Sequence, residues 1–250
     1  MIKVAVCGSN GKMGQEVVRA VNNDNDLELV AEIDLYNGKY STIKAAADDN
    51  KIDVLVDFTQ PKSIYENALF CLNNGINIVI GTTGLSDEEI ANLKQLSETN
   101  KVSCIIAPNF STGAVLMMMF AKQAAKFFDN AEIIELHHNQ KKDAPSGTAV
   151  KTALMMSEGM NKSFTTGNCP EIETIEGARG GSSYSDIHIH SVRMPGYIAS
   201  LEVILGASGQ ILTIRHDSMN RECYMPGVLM AVKYAAKDSK FIYGLENIMV

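Results

Sequence analysis

The feature that most constrains this chain is the regular alternation of short apolar runs with longer amphipathic stretches over its first 107 residues. The runs are rich in Val and Ile and predict buried strands, and the stretches between them predict helices. The predicted strands are Ile2–Cys7, Leu27–Asp34, Asp53–Phe58, Ile76–Ile80 and Val102–Ala107, and the predicted helices are Lys12–Asn22, Pro61–Asn73 and Ser86–Asn100. Strands that alternate with helices at this spacing predict a Rossmann-like α/β domain, with a parallel sheet covered by helices on both faces.

The pattern changes after Pro108. Helices are predicted at 112–128 and 146–160, a strand at 131–138, and a polar, glycine-containing loop at 161–183. Alternating segments at 184–193, 197–205 and 210–216 predict neighbouring strands, and a last helix is predicted at about 226–236. This second half is typical of a smaller α+β domain with an antiparallel or mixed sheet.

Charge and cysteine content exclude several classes of protein. Asp and Glu number 29 against 22 Lys and Arg, a net charge of −7, whereas nucleic-acid and membrane-surface proteins need a basic footprint. The longest apolar stretch, Ala114 to Ala121, is far below the roughly 18 residues of a membrane span. The five cysteines form no CxxC pair, which argues against a disulfide framework or a metal site. The start of the chain has no signal-peptide pattern, so we expect a cytoplasmic protein with reduced thiols.

A glycine-rich loop follows the first predicted strand. Gly8, Gly11 and Gly14 are spaced GxxGxxG, and the acid Asp34 ends the second strand 20 residues past Gly14. Glycines allow the backbone to approach a pyrophosphate, whose charge is then stabilised by N–H groups at the helix start. The pattern therefore predicts a dinucleotide site, although a glycine turn that only packs the helix on the strand is the alternative.

Asp34 also bears on the choice between NADH and NADPH. A carboxylate at this position accepts bonds from the adenine-ribose hydroxyls and repels a 2′-phosphate. Leu35 follows it and offers no guanidinium, while Lys12 is the nearby cation that would favour NADPH. We therefore predict that NADH is used at least as well as NADPH.

Two further loops follow later strands, at the sheet edge where open α/β sheets bind ligands. They are Gly81-Thr82-Thr83-Gly84 and Ala107-Pro108-Asn109-Phe110-Ser111. Each offers small residues and backbone donors, and both are predicted to lie beside the nicotinamide.

The second half contains a dense cluster of polar residues, 135–149, which we call the His-Lys segment. His137, His138 and Lys141 precede a predicted helix whose N-cap is Ser146, so the N–H groups of the helix start and these side chains are suited to a small carboxylic acid. A His and a Lys are also natural proton donors. The alternative is a capped helix after a solvated charged loop. His137 and His138 would face opposite sides if both lay in the strand.

Other candidates carry weaker signals. His188 and His190 share a strand face but lack a third ligand at a fitting spacing, which favours a sheet-face or subunit-contact role over metal binding. Met117, Met118 and Met119 are interpreted as core residues. Structural ion pairs are expected for Arg193, Arg215 and Arg221, and the alternative for one of them is a place at the border of the ligand site.

Five segments together resemble a known family. They are GSNGKMG (8–14), DFTQP (57–61), GTTG (81–84), APNFSTG (107–113) and ELHHNQKKDAPSGTA (135–149). In order and spacing they closely resemble the dihydrodipicolinate reductases, also called 4-hydroxy-tetrahydrodipicolinate reductases, over nearly the whole chain. The resemblance implies an NADH- or NADPH-dependent reduction of 4-hydroxy-tetrahydrodipicolinate to tetrahydrodipicolinate, in the diaminopimelate route to lysine.

The resemblance also implies roles for individual residues. Cofactor contacts are expected from Gly8, Ser9, Asn10, Gly11, Lys12, Met13, Asp34, Phe58, Gly81, Thr82, Thr83, Ala107, Pro108, Asn109 and Phe110. Contacts to the dicarboxylate substrate are expected from His138, Lys141, Ser146, Gly147 and Thr148. His137 and Lys141 match the acid/base pair, with the proton donor of the two left open, and no metal is implied.

The same resemblance implies a homotetramer assembled through the sheet of the substrate domain. Residues 1–108 plus 219–250 would bind the dinucleotide, and residues 109–218 would bind substrate and form the tetramer. The chain departs from the family pattern at Lys12, where arginine is usual, and after Arg193, where the Gly-x-His element of many relatives is missing. The second departure puts in doubt any contact made by that histidine.

Two other functions are compatible with the sequence pattern. An aspartate-semialdehyde or homoserine dehydrogenase shares the two-domain architecture, but the former needs a catalytic cysteine, for which Cys104 and Cys169 lack an evident base. A redox-sensing module would bind the dinucleotide without chemistry, but it has no use for the His-Lys segment.

Overall fold

Two β-sheets organise the structure, a computed structural model that describes residues 1–158, 160, 163–164 and 172–249. The strands in this described part are β1 (Ile2–Cys7), β2 (Leu27–Ile33), β3 (Val54–Asp57), β4 (Asn77–Ile80), β5 (Cys104–Ile106), β6 (Asn130–His137), β7 (Gly181–Ser182), β8 (His188–Arg193), β9 (Ala199–Ala207), β10 (Gln210–Ser218) and β11 (Phe241–Tyr243). The α-helices there are α1 (Lys12–Asn22), α2 (Ile43–Asp49), α3 (Pro61–Asn73), α4 (Asp87–Asn100), α5 (Thr112–Ala125), α6 (Gly147–Ser157) and α7 (Met225–Ala235).

The described residues divide into two units, each built on one sheet. Unit 1 comprises 1–112 and 221–249, and unit 2 comprises the described residues of 113–220. The family-based domain boundaries, 1–108 plus 219–250 and 109–218, stay a prediction.

The sheet of unit 1 has the strand order β11-β5-β4-β3-β1-β2, and every pair in it is parallel. The chain enters at β1, adds β2 on one side and then crosses to β3 on the other, so the strand order reverses at β1. Leu55 and Ile78 pack with Ile64 of α3 and Leu93 of α4 in one buried cluster, and α1 and α7 pack against each other and the sheet. The predicted α/β class is confirmed, and the reversal at β1 marks the edge where ligands bind in such sheets.

Two elements of unit 1 were not predicted. Helix α2 has only seven residues and is capped by Thr42, whose Oγ1 accepts a hydrogen bond from the N–H of Ala45. Strand β11 has three residues and pairs in parallel with β5, Phe241 lying opposite Cys104. Both are too short to show a hydrophobic period, and β11 is held by its neighbour in the sheet rather than by a local pattern.

The sheet of unit 2 is mixed, with the order β10-β9-β6-β8-β7. Strand β6 is antiparallel to β9 and parallel to β8. The single strand predicted at 184–193 is wrong at its start, because Tyr184–Asp186 forms a 3₁₀ turn and Ser185 and Asp186 have φ of 55° and 60°. Positive φ is incompatible with an extended strand, so β8 begins only at His188.

The predicted helices of unit 2 end earlier than expected. Helix α5 ends at Ala125 rather than at 128, and α6 ends at Ser157 rather than at 160. Residues 159, 161–162 and 165–171 of the predicted helix end and loop, including Cys169, lie outside the described residues. Among the residues that are described, no helix is long and apolar enough to cross a membrane.

Candidate functional site

The glycine loop between β1 and α1 is tightly packed against the loop that follows β3. Gly8 has φ of +81°, and a Cβ there would lie 2.5 Å from the carbonyl oxygen of Phe58. A Cβ on Gly14 would lie 2.0 Å from the carbonyl oxygen of Gly8, so neither position admits a side chain. Gly11 is the N-cap of α1 and provides no side-chain cap for the first-turn N–H groups. This is the arrangement in which a helix start binds a phosphate.

Asp34 lies directly beyond β2 and is fixed by two backbone donors. Its Oδ2 accepts a hydrogen bond of 3.2 Å from the N–H of Asn10, and its Oδ1 accepts one of 3.2 Å from the N–H of Tyr36. The carboxylate is thus held against the glycine loop, while the side chains of Leu35 and Tyr36 are exposed. An ionised acid at this place accepts hydroxyl donors and repels a phosphate.

A cavity of about 450 Å³ opens at this edge of the unit 1 sheet. Its lining comprises seven residues that the sequence predicts and two that it does not, Thr59 and Pro61. The predicted ones are Gly11, Lys12, Met13, Phe58, Gly81, Thr82 and Thr83. The remaining predicted cofactor residues, Gly8, Ser9, Asn10, Asp34 and 107–110, are not among those that line this cavity.

The ring of Phe58 forms one wall of the cavity. Its position requires that Gly81 has no side chain. A Cβ on Gly81 would lie 2.1 Å from Cε1 of Phe58, so the ring occupies space that any larger residue would take. The ring of Phe110 lies 5.8 Å away at 55°, a tilted aromatic pair. Phe110 is itself buried, which gives this predicted cofactor residue a supporting position behind the wall.

Asp57 was missed as a site residue. It is fully buried, and its Oδ1 accepts hydrogen bonds from the N–H and Oγ1 of Thr59 at 2.9 and 2.7 Å and from Oγ1 of Thr82 at 2.7 Å. Its Oδ2 accepts a bond of 2.8 Å from Asn67 of α3. One carboxylate thereby connects the loops that follow β3 and β4. The signal in the sequence is an acid at the end of an otherwise apolar strand, because a buried charge needs several donors.

Three cysteines of unit 1, Cys7, Cys71 and Cys104, are buried and structural. Burial, followed by the charge of Asp57, raises the pKa of the Cys7 thiol to about 12. Burial raises the pKa of Cys104 to about 12 as well, and that of Cys71 well above its usual range. A thiol that stays protonated is a poor nucleophile, so Cys104 does not fit a thioester mechanism.

In unit 2, Glu135 and His137 of β6 lie on one face of the sheet with Arg193 of β8. Arg193 is paired in register with His137 and donates to both carboxylate oxygens of Glu135, at 2.7 and 2.9 Å. Nδ1 of His137 is hydrogen-bonded to Oε2 of Glu135. Burial opposes ionisation of Glu135, but the hydrogen bonds from His137, Arg193 and Ser191 outweigh it and bring its pKa to about 2. Glu135, with no exposed surface, is a second residue that sequence reasoning missed.

The loop after β6 holds the other residues of the His-Lys segment. Strand β6 ends at His137, so His138 does not alternate with it within the strand. His138 instead lies in the loop, where its Nδ1 accepts from the N–H of Gln140 and its carbonyl from the N–H of Lys141, both at 3.2 Å. Nζ of Lys141 donates to both oxygens of Asp143 at 2.8 and 2.9 Å, and this bond lowers the pKa of Asp143.

The N-cap predicted at Ser146 is confirmed. Its Oγ accepts a hydrogen bond of 3.2 Å from the N–H of Ala149, and the hydroxyl keeps its hydrogen to donate to a ligand. Ser146 is nearly fully buried, Thr148 is half-buried and Gly147 is exposed. The helix start thus offers backbone and hydroxyl donors next to Lys141 in sequence, a combination suited to a carboxylate.

The two histidines of β8 point to the opposite face of the same sheet. Nε2 of His190 is hydrogen-bonded to Oε2 of Glu132 at 2.8 Å, and Arg179 donates to the other oxygen at 2.7 Å. Nδ1 of His188 is bonded to the carbonyl oxygen of Arg179 at 2.8 Å. In the part of the chain that the structure describes, no group of three or more His, Cys, Asp or Glu is arranged to hold a metal ion.

Comparisons with known proteins agree over the full length. The family model "Dihydrodipicolinate reductase, N-terminus" matches residues 2–110, and "Dihydrodipicolinate reductase, C-terminus" matches residues 113–249. The 4-hydroxy-tetrahydrodipicolinate reductases of Listeria welshimeri and Gloeothece citriformis are 48% and 46% identical to this chain, with 99% of the chain and 100% and 98% of those proteins covered.

Solved structures give the same result. A dipicolinate-bound dihydrodipicolinate reductase from Paenisporosarcina sp. TG-14 has a TM-score of 0.91 and 45% identity, covering 99% of both chains. A D-galactose-1-dehydrogenase from Rhizobium etli, at 15% identity and a TM-score of 0.58, shares the fold alone. The two family models together cover nearly the whole chain, and the relatives above 40% identity share its full length, so the chain belongs to the dihydrodipicolinate reductases.

Proposed function

We propose that this protein reduces 4-hydroxy-tetrahydrodipicolinate to tetrahydrodipicolinate with NADH or NADPH, within the diaminopimelate route to lysine. The observation that carries the proposal is the His-Lys segment of unit 2, in which an imidazole held by a buried carboxylate, an ammonium and a capped helix start follow one another within ten positions. The names of the full-length relatives support the same reaction.

The nucleotide site is proposed in unit 1. The crowded glycine loop, the anchored Asp34 and the 450 Å³ cavity fit a dinucleotide, because the start of α1 has no side-chain cap and a helix start of this kind binds phosphate through its N–H groups. Binding would use Gly8 to Met13, Asp34, Phe58, Gly81 to Thr83 and Ala107 to Phe110, within a domain of residues 1–108 plus 219–250. Asp34 supports use of NADH at least as well as NADPH.

Substrate binding is proposed for residues 109–218. One carboxylate of the substrate would accept hydrogen bonds from Ser146, Gly147 and Thr148, with His138 as a further hydrogen-bonding partner and Lys141 adding positive charge. Reduced nicotinamide, when bound, supplies the hydride. Donors at the helix start and Lys141 then stabilise the negative charge that grows on the substrate ring, an effect worth a few kcal/mol per donor. His137 or Lys141 delivers the proton to carbon, and water leaves the 4-hydroxy compound.

We also propose that the protein forms a homotetramer through the outer face of the unit 2 sheet. This face is the one opposite Glu135, and it carries the half-buried Ile134 and Ile204 and the exposed Ile211. Apolar side chains on an open sheet face favour burial against another copy. Light scattering of the purified protein measures the mass and would contradict the proposal with a monomer.

The reaction is tested by following the absorbance of NADH and NADPH with the product of dihydrodipicolinate synthase as substrate. Oxidation of either nucleotide only when the synthase product is present is the expected result. Aspartate semialdehyde and homoserine serve as alternative substrates. Turnover of either of these instead of the synthase product, or nucleotide binding without turnover of any compound, would overturn the proposed function.

A further inference from the structure

Glu135 links His137 to a guanidinium on the neighbouring strand. The carboxylate has no exposed surface, and its hydrogen-bond donors in unit 2 include Nδ1 of His137 and both Nη atoms of Arg193. All three residues belong to paired strands, β6 and β8, so their backbones are fixed by the sheet. The sheet therefore sets the spacing of the three residues.

The ionisation state of Glu135 decides which nitrogen of His137 carries a hydrogen. With its pKa brought to about 2, Glu135 is a carboxylate at neutral pH and only accepts hydrogen bonds. Nδ1 of His137 must therefore donate, which fixes the tautomer and leaves Nε2 as the atom that can hold and release a proton. The His137 side chain is 14% exposed, and the nitrogen defined for proton transfer is Nε2.

Hydrogen bonds link Arg193 indirectly to both proposed proton donors, His137 and Lys141. Nη1 donates to Glu135 Oε2 and to the carbonyl oxygen of Val192, and Nη2 donates to Glu135 Oε1 and, at 2.7 Å, to the carbonyl oxygen of Asp143. The last bond ties down the loop, and the side chain of Asp143 in turn holds Nζ of Lys141. One guanidinium thus fixes His137 through Glu135 and Lys141 through Asp143.

A contribution to stability does not by itself explain the buried ion pair of Glu135 and Arg193. A buried ion pair often stabilises a fold no better than apolar side chains of similar volume, because two charges lose their hydration. The same strand carries a comparable cluster on its other face, in which Glu132 binds Arg179 and His190 at the same kind of distances. Glu132 therefore provides a matched control for the removal of a carboxylate paired with Arg and His.

We propose that Glu135 and Arg193 are positioning residues for the reduction: Glu135 holds the His137 imidazole in the tautomer whose Nε2 delivers a proton, and Arg193 locks Glu135 and the Lys141 loop in the same geometry. This inference rests on the proposed function, because it assigns the two residues a part in that reaction.

The kinetic test compares Glu135→Gln, which keeps the shape and removes the charge, with Glu132→Gln. For Glu135→Gln we expect kcat to fall at least about tenfold, and by no more than the roughly 10²–10⁴-fold that general acid catalysis contributes, while KM for the substrate changes by less than about threefold. Glu132 lies on the face proposed for tetramer contacts, so Glu132→Gln is first shown by light scattering to keep the wild-type mass, and it should then change both constants by less than about twofold. Arg193→Lys keeps the charge but loses the bidentate contact and the Asp143 bond, so it should lower kcat and also raise KM for the substrate.

A double variant separates positioning from a general structural effect. If Glu135 acts through His137, Glu135→Gln/His137→Gln should have the kcat of His137→Gln alone, within about twofold. A double variant whose loss is the product of the two single losses would overturn the proposal. So would a Glu135→Gln enzyme with kcat near that of wild type.

A measurement on the free protein does not depend on turnover. In protein labelled with ¹⁵N-histidine, the His137 signals, assigned by their loss in His137→Gln, should show hydrogen on Nδ1 in wild type and a mixture of tautomers in Glu135→Gln. Hydrogen on Nε2 alone in wild type would overturn the positioning. An inactive wild-type protein with the expected tautomer would overturn the proposed function instead. If Glu135→Gln failed to fold, Arg193→Lys would carry the kinetic measurement and the wild-type tautomer would still test the positioning.

Discussion

The backbone N–H of Asn10 donates a hydrogen bond of 3.2 Å to Oδ2 of Asp34, and this bond fixes a negative charge beside the glycine loop. Replacing Asp34 with Asn removes the charge and keeps the shape. Because the repulsion of a 2′-phosphate is lost, we expect kcat/KM for NADPH relative to NADH to rise at least about tenfold.

The control for Asp34→Asn is Glu32→Gln, which makes the same change of charge at an exposed position of β2. It should leave the ratio of the two kcat/KM values unchanged. An unchanged ratio in Asp34→Asn as well would mean that Asp34 does not select the nucleotide.

Because Gly81 has no side chain, the ring of Phe58 can occupy the space next to it. A Cβ at this position meets the ring at 2.1 Å, so Gly81→Ala must displace Phe58 from the cavity wall. We expect KM for NADH to rise about tenfold or more, with a smaller effect on the folded state. Gly206→Ala is the matched substitution, because its Cβ finds only an ordinary contact at 3.7 Å with Asn130. Equal KM values for the two variants would contradict the assignment of this wall to the nucleotide site.

His137 is assigned to proton transfer rather than to binding. His137→Gln should therefore lower kcat by about 10²-fold or more and change KM for the substrate far less. Steady-state kinetics with saturating NADH measure both constants. Near-wild-type kcat in this variant would exclude His137 as the proton donor and leave Lys141.

Ser146 has two roles that a control can separate. Ser146→Ala removes a donor to the substrate carboxylate and also the N-cap of α6, which costs about 1 kcal/mol of stability. Thr42→Ala removes a cap of the same kind from α2, where the bond to Ala45 is also 3.2 Å. Both variants should unfold at a slightly lower temperature, but only Ser146→Ala should raise KM for the substrate. A similar KM in both would show that Ser146 acts as a cap alone.

Acid should destabilise the protein through Glu135. Its pKa is about 2 in the folded state and near 4.5 when unfolded, so the folded state binds the proton less well than the unfolded state. The resulting stabilisation is fully present above pH 4.5 and is lost as the pH falls from there toward 2, by up to about 3 kcal/mol. Urea unfolding at a series of pH values should show this loss in wild type and a much weaker one in Glu135→Gln. Parallel curves for the two proteins would contradict it.

The buried thiols should be unreactive. Since burial raises the pKa of Cys7 and Cys104 to about 12, alkylation of the native protein at neutral pH should leave both unmodified, together with Cys71. Peptide mass spectrometry before and after unfolding measures this. Rapid labelling of Cys104 in the native state would reopen a thiol mechanism.

Most of unit 1 could be predicted because its strands β1 to β5 lie within runs of five or more mostly apolar residues that the sequence shows. The Gly8 loop and Asp34 are local signals, and Ser86 followed by three acids is a local signal for the start of α4, where the structure has a capping box of Ser86 and Glu89. Strand β11 was missed because its three residues gain their structure from β5 alone. The start of β8 was misplaced because Ser185 and Asp186 adopt positive φ in a segment that alternates like a strand.

In the candidate site, too, the residues close together in the sequence could be predicted, and those that meet only in the folded chain could not. The sequence indicates His137, Lys141 and Ser146 because they are close together in the chain and of unusual composition. It does not indicate that Glu135 binds Arg193, since the two are 58 residues apart and meet only through the parallel pairing of β6 and β8. Asp57 was missed for a related reason, because its contact with Thr82 crosses between two strands.

Unit 1 is formed by two separate parts of the chain, 1–112 and 221–249, and this has a consequence for its synthesis. Helix α7 packs on α1 and β4, and β11 covers the edge of β5, yet both come from the last thirty residues of the chain. A growing polypeptide therefore exposes the backbone edge of Cys104–Ile106 throughout the translation of 113–220, and such an edge pairs readily with other chains. The protein is most vulnerable to aggregation while it is still attached to the ribosome, and a stalled product ending before 241 would keep that vulnerability.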